Sequence, residues 1–352
     1  MQKVLYLFLS LFIFIASGTP ALAGTATAFS DQFTDLKSHP WGADELTRMV
    51  QLGIMQGYPE GDRLYALPDK QVNRAEFAVL LARTLSLGDG QGTPPFTDWR
   101  SVPDWAGGAA AALYEAGIVT GVPGPDGALK FLPQAPVCRS EIAAMLTRAV
   151  EDEMLQDPVN PFGDVRPGDW YYQSVLKAYG MGLVNGRAAG RFEPDGTATR
   201  VEVMVMLSRF LEKDTANLPE DSVLKSLVRE FSELTGAALN GAGLEAMQDY
   251  LTGEAALALQ NGGLGLWESV PPGGKVDLTH PGGAPLVEFK SSYLAQVKYR
   301  TRVDVTAAVS GETGELGPAG ITVDERYYLY NEAGDWKIYA LDLVWSSRGE
   351  DE

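Results

Sequence analysis

Three arginines of this sequence stand in equivalent Arg-x-Glu motifs and could bind a carboxylate. They are Arg74, Arg139 and Arg200, and each occupies the first position of a predicted amphipathic helix. A cation at a helix start opposes the helix dipole and costs about 0.3–1 kcal/mol when exposed, so its repeated use favours an anion there. Helix N–H groups and a guanidinium that binds bidentately together form a carboxylate site.

The arginines have a second possible partner, the aspartate of a Phe-x-Asp motif that precedes each of them. These aspartates are Asp35, Asp98 and Asp164. Each could pair with the arginine of its own or a neighbouring repeat, and the two roles are compatible if the aspartate orients the arginine toward a ligand. If the arginines bind a ligand, we expect Arg74→Ala and Arg200→Ala to weaken binding with little loss of stability.

The glutamates of the Arg-x-Glu motifs have a structural explanation. Thr199 and Glu202 stand three residues apart ahead of an apolar run, which is the pattern of a capping box. Asn73 and Glu76 fit the same geometry. In the second motif Cys138 takes the cap position, a change that costs about 1 kcal/mol of helix stability. We therefore predict that the motif glutamates are mainly structural.

A tryptophan follows each Phe-x-Asp motif at a regular interval. The three are Trp41, Trp105 and Trp170. An aromatic ring beside a polar groove can stack on the face of a sugar. A large ring near a helix start can equally belong to the core, so the sequence leaves both interpretations open.

The order Phe-x-Asp, Trp, Gly-rich loop, Pro and Arg-x-Glu occurs three times between Phe33 and Arg209. Such a regular period indicates one structural unit used repeatedly. The repeated residues resemble the S-layer homology domain. That resemblance implies noncovalent anchoring of a secreted protein to a cell-wall polysaccharide, commonly one with ketal-linked pyruvate. It predicts an anionic, carboxylate-bearing polysaccharide as the partner, bound by the arginines, aspartates and tryptophans named above.

The repeats divide the first part of the chain into the ranges 31–90, 94–152 and 160–213. Each range has the pattern of a helix, a loop and a second helix. Because helices this short are not stable alone, the three copies are predicted to pack as one all-α bundle. The loop of the third copy, at 185–190, lacks the Asp-Gly or Glu-Gly step of the other two loops, so we expect fewer than three working sites.

The start of the chain and its charge limit where the protein acts. Residues 1–23 have the charged start, apolar run and small-residue cleavage site of a secretory signal peptide, so the mature chain is predicted to begin at Gly24. No later stretch is long and apolar enough to cross a bilayer, so we expect no transmembrane segment after cleavage. The net charge of −18 argues against nucleic acid as a partner, since no basic face is available to neutralise phosphates.

After a predicted linker at 214–221, residues 222–346 are predicted to form an α+β domain. Two amphipathic helices come first, and alternating segments typical of antiparallel strands follow, among them Ala295 to Val305. The last hairpin, from Tyr327 to Tyr339, resembles the end of a nuclear-transport-factor-2-like (NTF2-like) cone. The whole chain is therefore predicted to be multidomain, an all-α repeat bundle followed by an NTF2-like α+β domain.

Nothing in the predicted C-terminal domain selects catalysis. The histidines, His39 and His280, fall in different domains, and Cys138 is the sole cysteine. No Cys/His cluster suits zinc and no loop suits calcium, so we expect no metal and no cofactor. Asp324 and Glu325 could act as acid and base, but solvent-facing or edge-strand positions are the simpler interpretation. We predict a binding domain with an unassigned partner; the alternative is a wall-tethered enzyme with its active site in this domain.

Overall fold

The computed structural model of the chain describes residues 32–150, 159–260, 275–306 and 319–345. These residues form two compact units. The N-terminal unit comprises Phe33–Leu218 together with Ser291–Tyr293, and the C-terminal unit comprises Pro219–Lys290 and the described residues that follow from Leu294. The predicted signal peptide at 1–23 lies outside the described residues, as do positions 31, 151–152, 261–274, 307–318 and 346 of the predicted domain ranges.

Each repeat of the N-terminal unit contains two helices. The first helices of the repeats are α1 (Ala43–Gln51), α3 (Asp104–Glu115) and α5 (Tyr172–Gly180). The second helices are α2 (Arg74–Thr84), α4 (Arg139–Ala149) and α6 (Arg200–Lys213). A single 3-10 turn precedes the first helix in two repeats, at Leu36–Ser38 and Trp99–Ser101. The predicted succession of helix, loop and helix is therefore present in every repeat.

The apolar stripes of these helices form the core of the N-terminal unit. Leu46 and Met49 of α1 and Phe77 and Leu81 of α2 are fully buried. In the third repeat, α6 buries side chains on most of its turns, including Phe210. Burial of one large apolar side chain contributes about 1.5–3 kcal/mol, so packing rather than intrinsic helix propensity stabilises these short helices.

The loops between the helices of the first two repeats contain small hairpins. Strand β1 (Tyr58–Glu60) pairs with β2 (Arg63–Tyr65), and β3 (Val122–Pro123) pairs with β4 (Leu129–Lys130). The turns use Gly61 and Gly127, whose positive φ angles of 59° and 77° suit glycine. The structure therefore adds two hairpins to the predicted all-α bundle, because the acidic residue and glycine in each loop favour a tight turn. In the third repeat the loop closes with a single bridge between Ala188 and Arg191.

The C-terminal unit combines helices with one antiparallel sheet, as the α+β prediction requires. Its helices are α7 (Asp221–Leu239), α8 (Glu245–Gln248) and α9 (Gly253–Gln260). Its strands are β5 (Lys275–Thr279), β6 (Leu286–Lys290), β7 (Leu294–Thr306), β8 (Ala319–Glu332) and β9 (Asp335–Trp345). The strand order is β5-β7-β8-β9, and β6 also pairs with β7. Strand β8 is therefore central, since it pairs with β7 on one side and β9 on the other.

Alternation along β7 places one face of the sheet in the core. Val297, Tyr299 and Thr301 are buried, whereas the residues between them are partly exposed. The buried face packs against α7, where Phe231 makes a T-shaped contact with Tyr327 at 6.2 Å between ring centroids. This packing is the one predicted from the period-two pattern of the sequence.

Candidate functional site

The motif arginines are buried and connect one repeat to another. Arg74, Arg139 and Arg200 expose only 7%, 4% and 4% of their surface. The Nε atom of Arg74 donates to the carbonyl of Phe131 at 2.6 Å, and that of Arg139 donates to Phe192 at 2.9 Å. The Nε atom of Arg200 donates to the carbonyl of Ala66 at 2.7 Å. The arginine of the first repeat thus binds the second repeat, that of the second binds the third, and that of the third binds the first.

The backbone at each helix start repeats the same cyclic pattern. The N–H of Arg74 donates to Ala135, that of Arg139 donates to Gly196, and that of Arg200 donates to Lys70, at 2.9 to 3.0 Å. The next N–H of each helix also donates to a carbonyl of the same neighbouring loop. The predicted anion site at the helix N–H groups is therefore wrong in this respect, because protein carbonyls already occupy the first two donors.

The aspartates of the Phe-x-Asp motifs hold the loops that the arginines contact. Asp35 accepts from the N–H groups of Ala66 and Leu67, at 2.7 and 2.9 Å. Asp98 and Asp164 accept in the same way from the equivalent pairs of loop residues. Desolvation acts to raise the pKa of Asp164, but the two backbone hydrogen bonds outweigh it and lower that pKa.

One loop residue joins each aspartate to an arginine of another repeat. Ala66, for example, donates its N–H to Asp35 and accepts from Arg200 through its carbonyl. Among the described residues, the motif aspartate and arginine are therefore not paired directly, as one prediction had it. Both instead bind the backbone of the same loop residue. The residue that follows each bridge adopts a left-handed conformation, with φ between 51° and 61°, in Leu67, Leu132 and Glu193. Such a conformation is unfavourable for a residue with a side chain, and the aspartate holds it in place.

The motif glutamates cap their helices, as predicted. The carboxylates of Glu76, Glu141 and Glu202 accept the N–H of the cap residue three positions earlier, at 2.9 to 3.0 Å. Two of them also meet an arginine of another repeat: Arg74 Nη1 lies 2.7 Å from Glu141, and Arg139 Nη1 lies 3.7 Å from Glu202. The glutamates therefore have a second structural role, in pairs between repeats, that helix spacing alone does not predict.

The three motif tryptophans lie on the surface. Trp41, Trp105 and Trp170 expose 57%, 58% and 65% of their side chains. The ring of Trp41 contacts His39 edge-on at 6.2 Å, and that of Trp170 contacts Tyr171 edge-on at 5.4 Å. The exposed fractions rule out the core interpretation and leave the rings available to a ligand.

Sequence reasoning missed the loop residues that complete this arrangement. The bridging carbonyls belong to Ala66, Phe131 and Phe192; because a backbone carbonyl needs no particular side chain, the alanine of the first repeat hides their equivalence. Each is followed by one left-handed residue and then a proline, and this repeated step before the proline is the signal that could have found them. The predicted polysaccharide-binding role of the arginines, aspartates and tryptophans remains a prediction.

The carboxylates predicted to face solvent in the C-terminal unit are in fact engaged. Asp324 is buried and pairs with Arg300 at 2.7 Å and with Lys298 at 2.9 Å. Hydrogen bonding to Arg300, which outweighs desolvation, lowers the pKa of Asp324 to about 2. Glu325 accepts from the hydroxyls of Thr301 and Tyr327, and burial raises its pKa. The edge-strand interpretation is wrong because β8 lies in the middle of the sheet.

The remaining reactive residues lie apart from one another. His39 belongs to the N-terminal unit and His280 to the C-terminal unit. Cys138 stands at the start of α4, and burial raises the pKa of its thiol. In the part of the chain that the structure describes, no His, Cys, Asp and Glu side chains form a group that could hold a metal ion. No helix within the same ranges is long and apolar enough to span a membrane.

Comparison with known proteins matches three segments of the chain to the S-layer homology domain, at residues 32–78, 95–143 and 161–204. The chain is 32% identical over 193 residues to an amylopullulanase of Thermoanaerobacterium thermosulfurigenes, which covers 53% of this chain and 10% of that enzyme. It is 28% identical over 251 residues to an S-layer protein of Bacillus licheniformis, which covers 70% of this chain and 27% of the relative. It is 32% identical over 148 residues to a cellulosome-anchoring protein of Acetivibrio thermocellus, which covers 41% of this chain and 32% of the relative. The chain thus spans less than a third of the length of each of these relatives.

Proposed function

We propose that this chain, which carries three S-layer homology domains, uses them to bind a cell-wall polysaccharide noncovalently and displays its C-terminal unit as a ligand- or partner-binding domain. The chain is a cell-surface protein attached to the cell wall, as its three domains and its similarity to an S-layer protein indicate. One relative is named a cellulosome-anchoring protein, which supports an anchoring role here.

The exposed tryptophans are the observation that carries the proposal. Trp41, Trp105 and Trp170 stand at equivalent places, next to or at the start of the first helix of each domain. Each buries less than half of its side chain, although a tryptophan gains much free energy from burial. Exposed aromatic rings at a repeated position mark a binding surface, and the face of a sugar is a suitable partner for them.

We extend the proposal to a polymer that carries carboxylates, such as ketal-linked pyruvate. Arg200 donates to two carbonyls of the first repeat and lies 4.9 Å from the centre of the Tyr58 ring, so within the described residues its bonded partners are neutral. Desolvation by burial lowers the pKa of Arg200, but an arginine remains charged at neutral pH. Glu76 and Asp35 act on Arg200 electrostatically but are not bonded to it, and a buried charge without a bonded counter-ion favours a further anion nearby. In the other two repeats a glutamate already pairs with the arginine, so the first repeat's loop is the best candidate for carboxylate binding.

For the C-terminal unit we propose binding rather than catalysis, and an NTF2-like cone for its fold. Its helices cover one face of an antiparallel sheet, which is the layering such a cone requires. Asp324 is neutralised by two cations and Glu325 is held by two hydroxyls, so both carboxylates are engaged within the sheet. The competing proposal is a wall-tethered enzyme with its active site in this unit, which the raised pKa of Glu325 favours.

Cosedimentation with isolated cell walls tests the anchoring proposal. We expect the full chain to bind and the triple variant Trp41→Ala, Trp105→Ala, Trp170→Ala to lose most of its binding, since stacking on an aromatic ring contributes about 0.5–1.5 kcal/mol per site. Phe289→Ala, which changes an exposed aromatic ring of the C-terminal unit, is the matched control and should bind like the wild type. Wild-type binding by the triple variant would exclude the tryptophans as the contact surface.

A further inference from the structure

A small cavity lies in the C-terminal unit between helix α7 and strand β5. Its volume is about 240 Å³, and its wall includes Ser232, Glu233 and Asn240 from the helix and Asp277 and His280 from the strand and the residue after it. Pockets for drug-sized ligands measure about 300–1,000 Å³, so this cavity suits a smaller molecule. All of its lining residues belong to the C-terminal unit.

A chain of hydrogen bonds connects two of the lining residues through a buried carboxyl group. Ser232 hydrogen-bonds the side chain of Tyr327, whose hydroxyl donates to Oε2 of Glu325 at 2.9 Å. Thr301 donates its hydroxyl to the same oxygen at 2.5 Å. Thr301 Oγ1 also lies 3.3 Å from Nδ1 of His280, which lines the cavity. This series of hydrogen bonds therefore begins and ends at the cavity wall, with Glu325 at its centre.

Oε2 of Glu325 sets the direction of the donors in this hydrogen-bond network. It accepts from both hydroxyls, so the protons of Tyr327 and Thr301 both point to it. The Tyr327 oxygen then accepts from Ser232, and the Thr301 oxygen accepts from the Nδ1–H of His280. Desolvation by burial lowers the pKa of His280, against the raising effect of a hydrogen bond to the Arg300 backbone, so the ring is neutral and keeps one acceptor nitrogen.

The cavity wall consequently presents acceptors. Ser232 and His280 offer lone pairs, and Glu233 adds a carboxylate from the helix. Val276 is buried and Leu278 packs against Gly236 of α7, so the side chain of Asp277 between them lies on the opposite face of the sheet. No lysine or arginine is among the described residues that line the cavity. Arg229, one turn before Glu233 on α7, hydrogen-bonds Tyr299 instead. A wall of acceptors and negative charge is complementary to a ligand that donates and is positively charged.

We propose that the α7–β5 cavity binds a small molecule with a primary ammonium group, which donates to Ser232 and His280 and is paired by the carboxylate of Glu233. An ammonium group supplies three donors and a positive charge, which matches these acceptors. The His280 ring stacks on Tyr299 with centroids 4.0 Å apart, and this contact fixes the imidazole. Glu325 contacts no ligand and is a positioning residue. The inference rests on the proposed binding role of the C-terminal unit and adds the class of ligand.

Isothermal titration calorimetry of the purified full chain with 1,4-diaminobutane tests this site. The measurement is made at an ionic strength of about 0.15 M, which screens nonspecific attraction to the acidic surface. 1,4-Butanediol, an uncharged molecule of the same length, is the matched ligand control. We expect saturable binding of one diamine per chain and binding of the diol weaker by about tenfold or more, as the loss of a charge-assisted hydrogen bond implies.

Two pairs of variants distinguish the effect of Glu233, which lines the cavity, from that of Glu325, which positions the lining residues. Glu233→Gln should weaken diamine binding by about tenfold, whereas Glu230→Gln, one turn away and bonded to Tyr250, should leave it unchanged. Glu325→Gln keeps the side-chain size but adds donors, so it should reduce the preference for diamine over diol by about tenfold. Glu332→Gln, at the exposed end of the same strand, should keep that preference.

The outcome that overturns the proposal is distinct from a failure of wall anchoring. No saturable heat with the diamine, equal affinity for the diol, or wild-type behaviour of both Glu233→Gln and Glu325→Gln would each exclude the site. A purely structural Glu325 would change the affinities for diamine and diol equally, and that result would remove its positioning role. Cosedimentation of the same variants with cell walls measures the anchoring function separately, and we expect it to be unchanged.

Discussion

The motif arginines, which we propose to contribute to polysaccharide binding, also stabilise the fold. Arg74, Arg139 and Arg200 are buried, and each donates to a carbonyl of another repeat. Removing such a side chain leaves a buried carbonyl without its donor, and for Arg74 it also leaves Glu141 without its cation. The arginine variants are therefore expected to lose stability, which replaces the expectation drawn from the sequence.

We expect Arg74→Ala to lower the free energy of unfolding by about 1.5–3 kcal/mol, the range for hydrogen bonds to charged groups. Arg191→Ala is the matched control, because Arg191 is 67% exposed and only approaches Asp164 at 4.0 Å. That control should change the free energy of unfolding by less than about 0.5 kcal/mol. Urea denaturation measures both values, and a wild-type midpoint for Arg74→Ala would show that the link between repeats contributes nothing.

Asp324 predicts a specific response of the C-terminal unit to acid. Its pKa in the folded protein is about 2, against an ordinary value of 3.8. Because the folded-state pKa is the lower one, the ion pairs stabilise the fold above a pH of about 4, and this contribution is lost as the pH falls toward 2. Asp324→Asn should therefore be less stable than the wild type at neutral pH, with a smaller difference near pH 2. Denaturation curves that stay equally far apart at all pH values would contradict this assignment.

At the level of elements, each second helix of a repeat has a glutamate at its third position that accepts the N–H of the cap residue. The cap residues are Asn73, Cys138 and Thr199, and all three have the extended backbone of a helix cap. The Asn73 side chain accepts the N–H of Glu76 at 2.8 Å, which completes the capping box of α2. A thiol is a weak acceptor, so α4 has the weakest of the three caps.

Cys138→Thr should therefore raise the free energy of unfolding by about 1 kcal/mol, the usual contribution of an N-cap oxygen. Cys138→Ala removes the thiol without adding an oxygen and serves as the control, which should not gain stability. Thermal melts and urea titrations of the two variants provide the measurement. Equal stability of the threonine and alanine variants would mean that the thiol already caps the helix as well as a hydroxyl.

The same elements show how far the sequence determines this fold and site. Local spacing predicts the helices, the glutamate caps and the alternation along β7, because each depends on residues a few positions apart. The partners of the helix starts could not be predicted, since Arg74 donates to Phe131 and Arg200 to Ala66, far away in the sequence. Glu325 was misplaced for the same reason: alternation identifies its face, but only strand pairing shows that β8 is central.

For the whole molecule, the cyclic contacts join the three domains into one structural unit. Each loop is held by an aspartate of its own repeat and an arginine of another, so no repeat completes its loop alone. If more than one of the repeats binds, linked weak sites can hold a repetitive polymer with an apparent affinity about 10²–10⁴ times that of one site. The acidic charge of the chain, −18, opposes an anionic polymer overall, so the attraction must come from local groups such as Arg200.

Binding of the full chain to purified wall polysaccharide, before and after chemical removal of ketal-linked pyruvate, tests this account most directly. The account predicts saturable binding to the intact polymer and a loss of about tenfold or more in affinity once the carboxylates are removed, because charge-assisted hydrogen bonds are lost. Equal affinity for the intact and the treated polymer would contradict the carboxylate claim. The absence of binding to either polymer would contradict anchoring through this polysaccharide altogether.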